Sequence, residues 1–159
     1  MKGQEALFSN KTDVWGTPQW LFDKLNDEFH FTLDPCSNGE NNKCKEFFTE
    51  EQDGLSKDWS GGTVFMNPPY SNCQGWMEKA YEESLKGSTV VCLVPARTDT
   101  DWFCNLALKY GEVRFIRGRL RFGDTKINAP FPSCVIVFGK DIVQRSFHWI
   151  TVKCGNLKE

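Results

Sequence analysis

Apolar residues occur along this chain in two patterns. One has the spacing of a helix face, and the other is the continuous apolar run of a buried strand. Helical spacing runs through residues 16–29, 72–85 and 98–111, whereas short apolar runs bounded by turn residues predict strands. The predicted strands are "FHFTLDPCS", "TVFM", "STVVCLVPA", "EVRFIRGRLRFG", "FPSCVIVFGK" and an edge strand "HWITVK", with one more short strand and a turn within "EFFTEEQDGLSKDW". Because helices alternate with these strands, the pattern predicts an α/β fold in which helices flank a mostly parallel sheet.

The first predicted helix has clear start signals. Thr17 can cap it, and Pro18 suits the first helical position because no backbone donor is needed there. Its apolar face would be formed by five large side chains: Trp20, Leu21, Phe22, Leu25 and Phe29.

Three predicted strands end on residues that could bind a ligand. In parallel sheets, ligands bind outside the carboxyl ends of the strands. That rule marks Asp34-Pro35 after one strand, residues 67–70 after another, and Arg97 shortly after a third. We therefore expect these positions to share one edge of the sheet.

Length and composition favour a single domain over residues 1–159, with no separate target-recognition domain. Hydrophobic residues make up 40% of the 159 positions and charged residues 25%, as in globular rather than disordered proteins. No apolar run is long enough to span a bilayer, and the first residues lack the apolar core of a signal peptide. We expect a protein that has no membrane partner and stays in the cytoplasm where it is made.

The seven cysteines are odd in number and scattered, with no CxxC or CxH pair. Several lie within apolar runs such as "VVCLV" and "SCVIVF". Buried, reduced thiols are the preferred interpretation, and a zinc site is a distant alternative. No metal is expected in the site.

Charge is unevenly distributed, although the net charge is only −2. Residues 1–60 carry six Lys/Arg and twelve Asp/Glu, whereas residues 109–126 carry six and two. Arg117, Arg119 and Arg121 are spaced two apart, so in a strand they would share one face. A solvated strand face is the usual role of such residues, but arginine without lysine favours bidentate contacts to phosphate or guanine. Such a basic strip can bind nucleic acid even on a mildly acidic protein.

The segment Asn67-Pro68-Pro69-Tyr70 is the strongest chemical signal. Its two prolines fix the backbone just after a buried strand. The Asn67 amide oxygen and the Pro68 carbonyl can both accept hydrogens from a planar amine, and Tyr70 can stack on the ring that bears the amine. An amine held in this way loses conjugation with its ring and becomes a better nucleophile towards an electrophilic methyl group. The alternatives are a purely architectural turn and an NPxY peptide of the kind that adaptor domains recognise.

Two acidic residues could contact a cofactor. Asp34, followed by Pro35 and Cys36, can meet the ammonium end of an amino-acid-like cofactor, and Asp53 can accept a hydrogen bond from an adenine amine. Each also has a plain structural interpretation, Asp34 as a cap or turn residue and Asp53 as the start of a turn with Gly54.

Taken together, these segments resemble the small phage and prophage DNA N6-adenine methyltransferases, which use S-adenosylmethionine. The resemblance runs, in the family's order, through "VWGTPQWLFDKLNDEFHFTLDPCSN", "NNKCKEFFTEEQDGLSKDW", "FMNPPYS", "VVCLVPARTDTDWF", "IRGRLRFG" and "APFPSCVIVFG". It covers roughly residues 13 to 139. It implies a class I methyltransferase-like, Rossmann-like sheet that is mostly parallel, with an antiparallel strand near the C-terminus.

The resemblance also implies roles for individual residues. Asn67 and the Pro68 carbonyl would hold the adenine amine, and Tyr70 would stack on the flipped base, with Pro69 completing the motif. The cofactor would be bound by Trp15, Thr17, Pro18, Asp34, Pro35, Cys36, Asp53 and Asn67. DNA would be bound by Arg97, Arg117, Arg119 and Arg121. One departure from the broader methyltransferase pattern is the segment "DPCSNGENNK", which has one glycine and no GxG.

The implied reaction is site-specific methyl transfer to N6 of adenine in double-stranded DNA, after the base has been flipped out of the duplex. No strong base is needed before transfer, since the nitrogen is neutral and the sulfonium activates the methyl group. The alternatives are a protein-glutamine or RNA N-methyltransferase with the same motif, and a catalytically silent DNA-binding or anti-restriction protein. The target sequence, the oligomeric state and the purpose, such as protecting phage DNA from restriction, stay open; a monomer is compatible with the sequence.

Overall fold

A computed structural model describes residues 15–123 and 125–151 of the chain. Its seven strands are β1 Leu33–Asp34, β2 Glu46–Phe47, β3 Thr63–Met66, β4 Thr89–Pro95, β5 Glu112–Arg117, β6 Ser133–Phe138 and β7 Ser146–Thr151. They form one sheet in the order β2-β1-β3-β4-β6-β5-β7. The predicted edge strand "HWITVK" corresponds to β7, and its last two residues lie outside the described part of the chain.

The strand directions set the position of the site. β6 runs antiparallel to its neighbours β4 and β5, and every other described pair is parallel. The carboxyl ends of the other six strands therefore lie at one edge of the sheet, which we call the carboxyl edge. The predicted α/β fold, mostly parallel with an antiparallel strand near the C-terminus, is confirmed.

Helices pack on both faces of this sheet. They are α1 Gln19–Phe29, α2 Cys73–Leu85, and a third helical segment made of a π turn, Phe103–Ala107, and a short α-helical end, α3 Leu108–Tyr110. Short 3-10 turns occupy Glu50–Gln52, Gly54–Ser56 and Tyr70–Asn72. Within the described ranges, the helices are all too short or too polar to cross a membrane.

Both faces of the central strand are buried, as its continuous apolar run predicts. Along β4, Val90, Cys92 and Val94 pack in a cluster with the buried side chains of α2, whereas Val91 and Leu93 pack in a second cluster with those of α1. A strand covered on both sides needs no polar face, which is why the run is continuous rather than alternating.

The start of α1 differs from the prediction. Pro18 occupies the position before the helix, and no side chain caps the first turn. The Thr17 hydroxyl instead accepts a hydrogen bond from Asn67 Nδ2 at 2.9 Å. The prediction of Thr17 as the cap was therefore wrong, because a tertiary partner occupies its hydroxyl group. Trp20 also departs from the predicted apolar face, since it is 41% exposed.

The strand predicted around the arginines is shorter than expected. β5 ends at Arg117, and Gly118 adopts a φ of 94°, a left-handed conformation open to glycine, which takes the chain out of the sheet. Arg119 and Arg121 therefore lie in irregular structure, and the prediction that all three arginines share a strand face was wrong.

Candidate active site

A pocket opens at the carboxyl edge, where β1 and β3 end side by side. Its enclosed cavity has a volume of about 40 Å³, and the space around that cavity is open to solvent. Three segments line it, contributing Trp15 and Thr17; Asp34, Cys36, Asn41 and Lys43; and Phe65, Asn67, Pro68 and Pro69. The fold thus brings together seven residues that the sequence analysis selected from separate parts of the chain.

Asn67 is held at both ends of its side-chain amide. Its Nδ2 donates to the Trp15 carbonyl and to Thr17 Oγ1, and its Oδ1 accepts from the Tyr70 hydroxyl at 2.9 Å. Because the nitrogen faces two acceptors and the oxygen faces a donor, these partners fix the orientation of the amide. The oxygen keeps a second lone pair with which it can accept another hydrogen bond.

Tyr70 is buried beneath two phenylalanine side chains, which also contact Trp15. The residue is 4% exposed, and its ring meets Phe122 and Phe131 edge-on at centroid distances of 6.3 and 5.5 Å. Trp15 meets the same two phenylalanines at 5.4 and 5.2 Å. We call Trp15, Phe122 and Phe131 the aromatic cover. Burial raises the pKa of the Tyr70 hydroxyl well above its usual value, so the group stays protonated and can donate to Asn67.

The two prolines lead the chain from β3 into α2. Pro68 is buried and Pro69 is half-buried, and neither has a backbone donor to satisfy. The Pro69 carbonyl accepts from the Asn72 backbone N–H at 3.2 Å. Asn72 in turn caps α2, since its side chain accepts from the Gly75 backbone N–H at 3.3 Å. The segment 67–70 therefore joins β3 directly to a capped helix, and its contact with Asn72 is made by backbone atoms alone.

Asp34 organises the backbone that follows β1. Its Oδ1 accepts from the Cys36 backbone N–H at 3.2 Å, and its Oδ2 accepts from that of Lys43 at 3.0 Å. Asp34 is only 5% exposed, and burial raises the pKa of its carboxyl group while these two hydrogen bonds oppose the rise. One carboxylate thus closes the segment 35–45, which we call the β1 loop.

Side-chain hydrogen bonds hold the rest of the β1 loop. Asn38 Oδ1 accepts from the backbone N–H groups of Glu40 and Asn41, both at 2.9 Å. Asn41 Oδ1 accepts from the backbone of Asn38 at 3.0 Å, and Ser37 Oγ accepts from that of Gly39 at 2.9 Å. Asn and Ser side chains commonly shape turns in this way. The loop therefore reaches a defined shape without the GxG pattern that the sequence lacks.

Three residues that line the pocket were not predicted from the sequence: Asn41, Lys43 and Phe65. Lys43 Nζ donates to Gln19 Oε1 at 2.8 Å, which ties the β1 loop to the start of α1. The polar run "NNKCK", placed after a strand-end carboxylate, was the signal that could have identified Asn41 and Lys43. Phe65 gave no signal because it lies within an ordinary buried strand.

Three predicted cofactor residues do not line the pocket. Pro18 and Pro35 are buried and each follows a lining residue in the sequence, but neither is itself part of the lining. Asp53 lies between two 3-10 turns, with a φ of 51°, and is exposed. Its backbone conformation agrees with the turn interpretation, and its role at the cofactor stays a prediction.

The predicted DNA-binding arginines lie at the carboxyl edge. Arg97 follows the end of β4, and Arg117 is the last residue of β5. Arg119 and Arg121 come next, and Arg121 Nε donates to Asn128 Oδ1 at 3.0 Å. All four cations therefore border the edge that holds the pocket.

Comparison with known proteins decides the family. A family model described as DNA N-6-adenine-methyltransferase (Dam) matches residues 4–152. The chain belongs to this family. The predicted resemblance is therefore confirmed, and the pocket described above is the pocket of a Dam-family chain.

Two phage proteins named DNA N-6-adenine-methyltransferase are similar to this Dam-family chain. That of Haemophilus phage HP1 is 42% identical over 107 residues, which cover 65% of this chain and 62% of the relative. That of Escherichia phage T1 is 29% identical over 110 residues, which cover 68% of this chain and 46% of the relative. The similarity thus spans less than two thirds of either relative's own length.

A solved structure with a related arrangement comes from Listeria monocytogenes, where the protein is provisionally described as a class I S-adenosylmethionine-dependent methyltransferase. It covers 86% of this chain and 55% of its own, with a TM-score of 0.47 and 12% identity.

Proposed function

We propose that this protein transfers a methyl group from S-adenosylmethionine to N6 of adenine at specific sites in double-stranded DNA. The observation that carries the proposal is the orientation of Asn67, whose oxygen is fixed beside the pocket with a lone pair to spare. Membership of the Dam family and the names of two phage relatives support the same reaction.

The chemical groups that line the pocket match the amino-acid end of S-adenosylmethionine. Asp34 accepts two backbone hydrogen bonds but retains lone pairs for an ammonium group, and Lys43 can pair with a carboxylate. Trp15 and Phe65 add apolar surface. Bound there, the cofactor supplies a methyl group that its sulfonium activates.

Asn67 and Pro68 would bind the adenine amine. One amine hydrogen would go to Asn67 Oδ1 and the other to the Pro68 carbonyl. Because Asn67 Nδ2 is anchored by Trp15 and Thr17, the oxygen cannot swing away without breaking two hydrogen bonds. Holding reactants in line in this way can lower the barrier by roughly 7–11 kcal/mol.

The aromatic cover has to move when a base enters. Stacking on Tyr70 requires a free ring face, whereas Phe122 and Phe131 now pack against that ring. Flipping a base costs a few kcal/mol, and stacking on an aromatic ring contributes roughly 1–3 kcal/mol. We propose that the entering base turns the side chains of the cover aside, while the backbone that carries them keeps its hydrogen bonds and the Tyr70 hydroxyl stays on Asn67.

DNA would approach the carboxyl edge, which Arg97, Arg117, Arg119 and Arg121 border. Their guanidinium groups can neutralise phosphates beside the pocket. Since two of the similar proteins come from bacteriophages, we propose that the reaction takes place in the cytoplasm of a bacterial host.

The test is to incubate the purified protein with S-adenosylmethionine labelled in its methyl group and with separate pools of double-stranded DNA, RNA and protein. We expect label in DNA alone. Label in RNA or in protein would overturn the proposed substrate. Cofactor binding without transfer to any pool would indicate a catalytically silent protein instead.

A further inference from the structure

We propose that Ile127 is a wedge that enters the DNA base stack where the flipped adenine has left it. This inference rests on the proposed function, because it concerns how the duplex is held open while a base occupies the pocket. Ile127 belongs to the connection between β5 and β6, which we call the β5–β6 loop and which is described over residues 118–123 and 125–132.

Exposure alone does not identify a wedge, since single apolar side chains are common on protein surfaces. Ile127 is 79% exposed, and Val143, at the opposite edge of the sheet, is 69% exposed without any such role. What distinguishes Ile127 is how its loop is braced, where the loop is attached and which charges surround it.

The β5–β6 loop is braced just below Ile127. The Ala129 backbone N–H donates to the Leu120 carbonyl at 2.7 Å, and both residues are buried. Arg121 Nε donates to Asn128 Oδ1 at 3.0 Å across the same two sides of the loop. Two cross-links therefore support the exposed side chain, so it can be pushed into a stack without the loop folding back.

A third constraint acts at the tip of the loop. The Thr125 hydroxyl lies 3.0 Å from the Phe122 carbonyl and 3.2 Å from the carbonyl of Ile127 itself, within donating distance of both. The backbone of Ile127 is thus restrained while its side chain faces solvent.

The loop is attached to the wall of the pocket. The Gly123 backbone N–H donates to the Gly16 carbonyl at 2.7 Å, and Phe131, at the far end of the loop, covers Tyr70 at a centroid distance of 5.5 Å. Ile127 precedes Phe131 by four residues, so their Cα atoms are at most about 14 Å apart. Since bases stack about 3.4 Å apart, Ile127 lies within the length of about four base steps from Phe131. Ile127 can therefore meet the gap left by a base bound in the pocket.

The β5–β6 loop carries three cations and one acidic residue, Asp124. Arg119, Arg121 and Lys126 are exposed on the same loop, and no salt bridge within the described residues involves any of them. Such cations can bind the phosphates on either side of a groove, whereas an apolar side chain between them can part neighbouring bases. Ile127 supplies that apolar group, and DNA is the partner that this combination fits.

The experiment begins with the target site, mapped on plasmid DNA methylated by the wild-type protein. Synthetic duplexes carrying that site are then compared, one fully paired and one with a mismatch opposite the target adenine. We expect Ile127→Ala to methylate the paired duplex about tenfold or more slowly, and the mismatched duplex at nearly the wild-type rate, because a mismatched base is easier to flip. With 2-aminopurine at the target position, Ile127→Ala should give less of the fluorescence rise that reports base extrusion.

Three controls sharpen the test. Val143→Ala removes an equally exposed β-branched side chain and should leave both rates unchanged. Ile127→Leu retains an apolar wedge and should keep most of the rate on the paired duplex. Cofactor affinity measured by calorimetry should be the same in all variants.

Equal rates for wild type and Ile127→Ala on the paired duplex would overturn the wedge. So would an equal loss on paired and mismatched duplexes, which would mean that Ile127 acts on something other than opening. A wild-type protein that methylates no DNA at all would instead overturn the proposed function, so the two failures are distinguishable.

Discussion

The two segments that face each other across the pocket are rigid for different reasons. The segment 67–70 is fixed covalently, because two prolines restrict its backbone and leave no donors to satisfy. The β1 loop contains many flexible, donor-rich residues and is held by the side-chain oxygens of Asp34, Asn38 and Asn41. Covalent rigidity is independent of neighbouring side chains, whereas the shape of the loop depends on each acceptor.

From this difference we infer that the two segments have different functions in the pocket. The proline-fixed segment carries Asn67, whose position decides whether an amine is aligned for attack. The β1 loop carries Asn41 and Lys43, which line the pocket on the proposed cofactor side. Changes in the first segment should therefore alter the rate of transfer, and changes in the second should alter cofactor binding.

The largest effect is expected for Asn67→Ala. The variant loses the oxygen that would accept the adenine amine, so we expect single-turnover methyl transfer to slow by about 100-fold or more. Cofactor affinity, measured by calorimetry, should stay within about threefold of wild type, because the β1 loop is intact.

Asn72→Ala is the matched control. Asn72 caps α2 but does not line the pocket, so this variant should lose roughly 1 kcal/mol of stability and keep its transfer rate. Near-normal transfer by Asn67→Ala would contradict the role given to the proline-fixed segment.

A smaller effect, on binding rather than on rate, is expected for Asn38→Ala. The substitution removes the acceptor of two exposed backbone donors, those of Glu40 and Asn41, and each such hydrogen bond contributes about 0.5–1.5 kcal/mol to the order of the loop. We expect calorimetry to give a cofactor Kd about tenfold weaker, with transfer restored at saturating cofactor. Glu40→Ala, in the same loop and equally exposed, should bind the cofactor normally. Unchanged affinity in Asn38→Ala would mean that the hydrogen bonds of the loop are incidental.

The role of the segment 67–70 could be predicted from sequence, because the motif is local and its chemistry follows from residue type. The β1 loop was anticipated only in outline. Asp34 was selected for a role at the ammonium group, whereas its carboxylate is engaged by backbone donors, one of them at Lys43, nine positions away. A pattern of residue types does not reveal such pairings.

Two other predictions failed for reasons that differ from each other. Thr17 has the residue type of a helix cap, but its hydroxyl is used by Asn67, fifty positions away. The alternation in "RGRLR" is typical of a strand. Gly118, however, takes a left-handed conformation, so β5 ends at Arg117, the residue before it. Tertiary partners overrode local propensity in the first case, and one glycine did so in the second.

The arginines at the end of β5 and in the β5–β6 loop are expected to bind DNA rather than the cofactor. Replacing Arg117, Arg119 and Arg121 by glutamine should weaken DNA binding several-fold at low salt. The slope of log affinity against log salt should fall by up to about 0.9 for each phosphate that the variant no longer neutralises. Binding titrations at several salt concentrations measure both effects.

The control for this variant neutralises three other exposed cations, Lys109, Lys140 and Arg145, which lie at the opposite edge of the sheet. That control should leave the salt slope unchanged. If the arginine variant and the wild type had the same slope, these arginines would be solvated surface residues with no contact to phosphate.

The smallest functional effect is expected at a site remote from both segments. Glu83 is fully buried in α2 and accepts from Lys79, from Lys86 at 2.8 Å and from the Trp59 backbone N–H at 3.0 Å. Glu83→Gln should lower the free energy of unfolding by about 1–3 kcal/mol, because it weakens these charge-assisted bonds. Transfer rate and cofactor affinity at low temperature should stay unchanged.

The stability of the wild type should also depend on pH through this residue. Burial raises the pKa of Glu83, but the hydrogen bonds from Lys79, Lys86 and Trp59 outweigh it and hold the pKa below the usual 4.5. The stabilisation is therefore present above pH 4.5 and is lost as the pH falls through the lower, folded-state value. Urea unfolding of Glu83→Gln should lack this acid-side loss, and identical pH profiles would contradict the assignment.

The most direct test of the central claim is to identify the methylated atom. Double-stranded DNA is incubated with the purified protein and S-adenosylmethionine that carries a deuterated methyl group, then digested to nucleosides and analysed by mass spectrometry. The account predicts deuterated N6-methyladenine, and its absence from a parallel reaction with Asn67→Ala. Label on cytosine, or no labelled nucleoside from a wild-type protein that binds the cofactor, would contradict it.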